Sequence, residues 1–95
     1  NEERFTRSYV RGKFYIKKWG RNKIKVNLLQ KGISEKLIIK AYDEIDEKDY
    51  LVAIKTILEK ITPTLKGLKE YQKKQKIIKY LLSKGYEYDL IVNEI

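Results

Sequence analysis

The side chains able to do chemistry in this chain are above all its guanidinium groups. All four arginines, Arg4, Arg7, Arg11 and Arg21, stand within the first 21 residues. Spacings of three and four put Arg4, Arg7 and Arg11 on one face of a helix, where planar forks could clamp phosphates or carboxylates; the same spacing also describes an ordinary solvated face. Histidine, cysteine and methionine are absent, which removes disulfides, thiolate nucleophiles, the usual zinc sites and the commonest general base. An enzyme is not expected, nor a cofactor, a metal or a small-molecule substrate. The run Asp43-Glu44-Ile45-Asp46-Glu47 could begin a metal or acid-base site. Without a third ligand, these acids read better as helix caps and solubilising charge.

The formal charge of +9 is unevenly placed. Residues 1–31 carry ten Lys and Arg against two acids, residues 32–62 five against seven, and residues 63–95 seven against four, giving +8, −2 and +3. Such a basic end is the footprint expected for a polyanionic partner; a lysine-, isoleucine- and asparagine-rich chain also arises from a biased genome, which discounts the lysines but not the clustered arginines. Lys13 to Gly20 alternates basic and aromatic residues, a pattern that can mark a single-strand contact, although Phe14, Ile16 and Trp19 are more simply read as packing.

The elements that hold these residues are all helical. Glu2 to Arg11 reads as a helix with Phe5 and Tyr9 together on one side, ended or loosened by Gly12. Arg21 to Lys31 follows, with Ile24 and Leu28 inward and Gly32 as its left-handed terminator; Lys31 complements the helix dipole. Ser34 caps a helix whose Leu37, Ile38, Ala41, Tyr42 and Ile45 keep a 3.6-residue period. Asp46 caps the next, whose Tyr50, Leu51, Ile54, Ile57, Leu58 and Ile61 form the longest apolar stripe and should be the best buried; Thr62-Pro63-Thr64 stops it. Leu65 to Gln75 reads as an exposed lead into a helix packed only from Ile77. Gly85 ends that helix, and Tyr88 to Ile95 is the last, with Leu90, Ile91 and Ile95 inward. Nothing alternates like a strand.

Two stretches repeat. Arg21 to Tyr42 laid on Lys74 to Ile95, an offset of 53, shares Lys23/Lys76, Ile24/Ile77, Leu28/Leu81, Leu29/Leu82, Lys31/Lys84, Gly32/Gly85, Leu37/Leu90 and Ile38/Ile91. The expected fold is all-α: two tandem three-helix repeats, residues 1–45 and 46–95, forming an elongated body whose halves are each too small to be stable alone. The offset carried to the opening helices places the start of the first one before Asn1, so that copy looks truncated at its front. With no initiator methionine, the chain is expected to begin inside a longer protein. No apolar run is long enough to span a bilayer and no signal-peptide order opens the chain, so a cytoplasmic setting without membrane contact is expected.

Arg4-Phe5-Thr6-Arg7-Ser8-Tyr9, then Lys18-Trp19-Gly20-Arg21-Asn22-Lys23-Ile24, Leu28-Leu29-Gln30-Lys31-Gly32-Ile33-Ser34 and Tyr80-Leu81-Leu82-Ser83-Lys84-Gly85-Tyr86 together resemble the bacterial regulatory protein RecX family. The likeness covers nearly the whole chain and matches the second and third of three tandem repeats. It implies a modulator of the RecA recombinase that binds the groove of the RecA filament on single-stranded DNA and damps its ATP hydrolysis, strand exchange and co-protease activity. Gly32 and Gly85 match the family's helix-ending glycines, and Ile24, Leu28, Leu81 and Leu82 its core positions. Charge, not the family, assigns the partner or DNA-phosphate contact to Arg4, Arg7, Arg11, Lys17, Lys18, Arg21, Lys23 and Lys25, continued by Lys74 and Lys76 at the repeat-equivalent places of Arg21 and Lys23. Two other readings compete. One is a helix-turn-helix domain acting on duplex DNA, although Ser34 to Asp43 and Tyr88 to Ile95 hold few base-reading residues. The other is a helical adaptor of structural or RNA-associated kind.

Overall fold

The computed structural model describes all 95 residues, and six α-helices with no strand make up the chain: α1 (Glu2–Tyr15), α2 (Arg21–Gln30), α3 (Glu35–Ala41), α4 (Glu47–Ile61), α5 (Glu70–Ser83) and α6 (Tyr88–Glu94). Short 3-10 segments follow α3 (Tyr42–Glu44) and α4 (Thr62–Leu65). The body measures 50 × 23 × 19 Å, elongated as the tandem arrangement requires.

The two glycine corners are copies of each other. Gly32 donates to the Leu29 carbonyl (3.0 Å) and Ile33 to that of Leu28 (3.1 Å); 53 residues on, Gly85 donates to Leu82 (2.9 Å) and Tyr86 to Leu81 (3.1 Å). Both glycines have positive φ, +84° and +100°, and the bonds satisfy the carbonyls that a helix end leaves open. Ile24, Leu28, Ile33 and Ile38 of the first repeat are buried, as are their counterparts Ile77, Leu81, Tyr86 and Ile91. They join one core with Val10, Phe14, Tyr50 and Ile54, each fully buried side chain contributing about 1.5–3 kcal/mol relative to exposure.

Caps fall where the sequence put them. Ser34 Oγ accepts from Leu37 N–H (3.3 Å) and Asp46 Oδ1 from Asp49 N–H (3.1 Å). Five expectations need correction, one of them Leu82, read as a core position but 44% exposed because it faces away from the side of α5 that carries Ile77 and Leu81. Gly12 does not end α1, which continues through it to Tyr15, because Val10 and Phe14 are buried on either side of the glycine. Ile16 is 78% exposed instead of packed, since the helix ends there and the chain turns away. The far half of α4 is only half-buried at Ile57, Leu58 and Ile61, so burial is strongest at its start, where Tyr50 and Ile54 are fully covered. Ile95 is 41% exposed at the chain end. The lead before Ile77 is exposed as read, but it is already helical from Glu70.

The opening helices are of similar length, 14 residues in α1 and 15 in α4, and Asn1 caps α1 by accepting from Arg4 N–H. What differs is the second helix, 10 residues in α2 and 14 in α5, and the connection before it, residues 16–20 in the first repeat and 62–69 in the second. The longer α5 lowers the offset to 49 at its start, pairing the N-caps Gly20 and Lys69 and, two residues earlier, the left-handed residues Lys18 (φ +60°) and Gly67 (φ +91°).

Candidate partner-binding surface

The ten cations singled out by charge divide according to what their ends touch. On α1, Arg7 and Arg11 do not point freely into solvent. Both reach Glu44 in the 3-10 segment after α3, Arg7 Nη1 at 3.0 Å and Arg11 Nη1 at 2.6 Å, and Arg7 also pairs with Glu3. The two guanidinium hydrogen bonds hold the Glu44 carboxyl below the usual glutamate range, and the carboxylates hold Arg7 above the ordinary arginine value. This corrects the expectation of an open arginine face: two of its three members fasten α1 to the end of α3.

Arg21 serves the junction between repeats. Its Nη2 meets Glu47 at the start of α4 (2.6 Å), its Nη1 meets Glu87 at the start of α6 (3.0 Å), and its guanidinium lies 3.9 Å from the Tyr50 ring centre. The Tyr50 hydroxyl donates to Glu87 and accepts from Arg21 N–H. Burial opposes the charge on Arg21, and Glu87 and Glu47 more than reverse that, leaving its pKa raised; burial pushes the Tyr50 and Tyr86 phenols up, so both stay protonated donors. Beside this cluster the backbones touch. Gly20 N–H donates to Lys84 (2.7 Å), Asn22 N–H to Gly85 (2.9 Å), and the Tyr86 hydroxyl to the Lys18 carbonyl (2.7 Å). A Cβ on Gly20 would sit 2.3 Å from the Gly85 carbonyl carbon, so only glycine permits this approach. Arg21 is thus a clamp with an 18% exposed side chain, a role that its place in a basic run concealed.

Lys25 pairs with Glu35 (3.4 Å), and Lys23 lies over the Trp19 ring (4.5 Å) with Lys13 near the same ring (4.8 Å). Trp19 is half-buried against the core, so the basic-aromatic run is largely packing: Phe14 is buried and the Tyr15 hydroxyl donates to Asp49 while accepting from Asp46 N–H. Four of the five acids of the 43–49 segment are likewise engaged, Glu44 and Glu47 with arginines, Asp46 as a cap and Asp49 with Tyr15.

Arg4, Lys17, Lys18, Lys74 and Lys76 enter no ion pair. Arg4 lines a shallow polar hollow with Arg7 and Arg11. Lys17 and Lys18 instead line a groove between the repeats, with Lys60 of α4 and Lys84 after α5 on its rim, half-buried Ile57 and Ile61 along it and Tyr80 exposed. The groove runs on past Thr64 and Tyr80 to Lys76 and Lys79. Lys60, Lys79 and Lys84 are unpaired too, and were missed because they are scattered in sequence; α4 and α5 bring them to one side.

Two three-helix repeats, closed by identical glycine corners and locked at one angle through Arg21, Tyr50 and Glu87, define a class of tandem helical repeat proteins. Residues 1–41 match the family model for the second three-helix domain of RecX, and residues 47–93 that for its third. Over 91 residues the chain is 35% identical to the regulatory protein RecX of Clostridium perfringens (strain SM101 / Type A), covering 94% of the chain and 42% of that protein; it is 38% identical to that of Clostridium tetani, covering 90% and 42%. The crystal structure of RecX from Lactobacillus salivarius superposes with a TM-score of 0.91 at 30% identity, over 99% of this chain and 61% of that one. The chain belongs to the RecX family of regulatory proteins. It spans less than half the length of these curated relatives. No helix is long and apolar enough to cross a membrane.

Proposed function

We propose that this chain acts as part of a RecX-type regulator on the RecA filament assembled on single-stranded DNA, in the cytoplasm, where it damps filament growth, ATP hydrolysis, strand exchange and co-protease activity. Family membership carries the reading, and the shape supports it: a rigid 50 Å body can follow a helical groove and touch successive protomers. Arg4, Lys17, Lys18, Lys74 and Lys76, whose charges no carboxylate neutralises, are the contacts we assign to acidic protein or DNA phosphates. Arg7, Arg11, Arg21, Lys23 and Lys25 support that surface from within. Several weak contacts on one rigid frame then reinforce each other through effective concentration.

A duplex reader of helix-turn-helix type has less support. The helices that would enter a major groove, α3 and α6, are seven residues long and carry Glu35 and Asp89 in their first turns. The test is binding of the chain to bare single-stranded DNA, duplex DNA, free RecA and the assembled filament across a salt series. A preference for the filament that persists as salt rises is expected; equal binding to bare DNA, falling steeply with salt, would mark simple phosphate attraction and overturn the proposal.

A further inference from the structure

The groove between the repeats has a composition that selects among anionic partners. Its inner stretch is a cavity of about 340 Å³ floored by Phe14, Ala53 and Ile57, and Lys18 and Lys60 stand at its mouth. The only acid along it, Asp49, pairs with no lysine and faces six of them, Lys17, Lys18, Lys60, Lys76, Lys79 and Lys84, so the groove keeps a net positive charge.

Lys18 sits there at a cost in backbone conformation. Its φ is +60°, where a side chain is disfavoured, and the equivalent position of the second repeat, Gly67, uses glycine for the same left-handed turn. The turn itself is fixed through the Lys18 backbone, whose N–H donates to the Phe14 carbonyl (2.9 Å) and whose carbonyl accepts from the Tyr86 hydroxyl, bonds that glycine would make equally well. The turn does not need a lysine at this place; apart from a long contact of its ammonium with the Phe14 ring (5.6 Å), the side chain lines both the apolar cavity and the groove beyond it.

We infer that this groove is a docking site for an acidic protein segment that inserts an aliphatic side chain into the cavity while its carboxylates meet Lys18, Lys60 and Lys84. Charge complementarity fixes the sign of the partner, and the apolar floor fixes its kind. A nucleic-acid strand would call for a run of exposed aromatic faces on which successive bases stack, but Phe14 is 1% exposed, and the two exposed rings, Tyr15 and Tyr80, line different stretches of the groove with isoleucines and lysines between them. The inference stands on the lining residues and holds whether or not the filament is the chain's target.

Fluorescence anisotropy of the intact chain with a labelled polyglutamate peptide carrying one central leucine tests it, against the same peptide with serine for leucine and against oligothymidylate at matched salt. The leucine peptide should bind more tightly than both, and Lys18→Gly and Lys60→Glu should each weaken it about tenfold or more. Lys18→Gly cannot fail merely by unfolding, since it relieves the strained turn. Tighter binding of oligothymidylate, equal binding of the serine peptide, or unchanged binding by a folded Lys18→Gly variant would each overturn the inference.

Discussion

At the scale of single residues, positive φ values separate conformational roles from contact roles. Lys18 occupies a left-handed position that disfavours any side chain by about 1 kcal/mol. Lys18→Gly is therefore expected to raise unfolding stability by roughly 1 kcal/mol, less the entropy that glycine adds to the unfolded chain, as measured by urea denaturation. The matched glycines Gly32 and Gly85 should respond differently to the same change. Nothing lies within 4 Å of a Cβ on Gly32, so Gly32→Ala bears only the backbone cost of about 1 kcal/mol. A Cβ on Gly85 meets Lys23 N at 2.6 Å and the Gly20 carbonyl oxygen at 2.8 Å, which adds overpacking at the junction; Gly85→Ala should cost about 3 kcal/mol. Equal losses in denaturant midpoint for the two variants would show that the repeats do not meet at this corner.

Among the elements, α1 is held to the end of α3 by one carboxylate serving two arginines. Because the Glu44 pKa is depressed in the folded chain, its contribution is fully present above the unfolded glutamate value of about 4.3 and is lost as pH falls through the lower folded value. The native chain should melt higher than Glu44→Gln at neutral pH, and the gap should close in acid. A gap that stays constant with pH would assign the effect to something other than this clamp. The elements were legible where apolar spacing and a terminal signal agreed: Ser34, Asp46, Gly32 and Gly85 each mark a boundary by a local mechanism. Gly12 misled because its helix penalty of about 1 kcal/mol is local, whereas the burial of Val10 and Phe14 that outweighs it depends on neighbours far along the chain. The arginine clamp escaped for a related reason. Spacing alone puts Arg7 and Arg11 on one face, but Glu44 comes to that face only through the fold.

Over the whole molecule, a lock of unlike residues joins two like repeats. Alignment at an offset of 53 finds what the copies share, and the side chains that lock the junction are ones they do not. Glu87 falls opposite Ser34, Tyr86 opposite Ile33, and Arg21 opposite Lys74. The groove was illegible for the same reason, since Lys17, Lys18, Lys60 and Lys84 meet only after the repeats dock. The elongated class and the duplication could be read from one dimension, while the angle between the copies could not. With that angle fixed, the free cations act as one surface, and separating the repeats should weaken partner binding far more than halving the contacts would.

Glu87→Gln provides the most direct measurement, because geometry and charge pull it in opposite directions. The substitution removes an acid and makes the chain more positive, yet leaves a single acceptor oxygen where Arg21 and Tyr50 each had one, breaking the charged pair that sets the angle between repeats. With Glu47 still paired to Arg21, the loss of stability should be about 1–2 kcal/mol and the fold should persist by circular dichroism. In a titration of the RecA filament on single-stranded DNA at matched salt, a rigid frame predicts about tenfold weaker binding by Glu87→Gln, with binding to bare DNA unchanged or slightly tighter. A folded variant that binds the filament as tightly as the native chain, or more tightly, would contradict the claim that the fixed junction organises the binding surface.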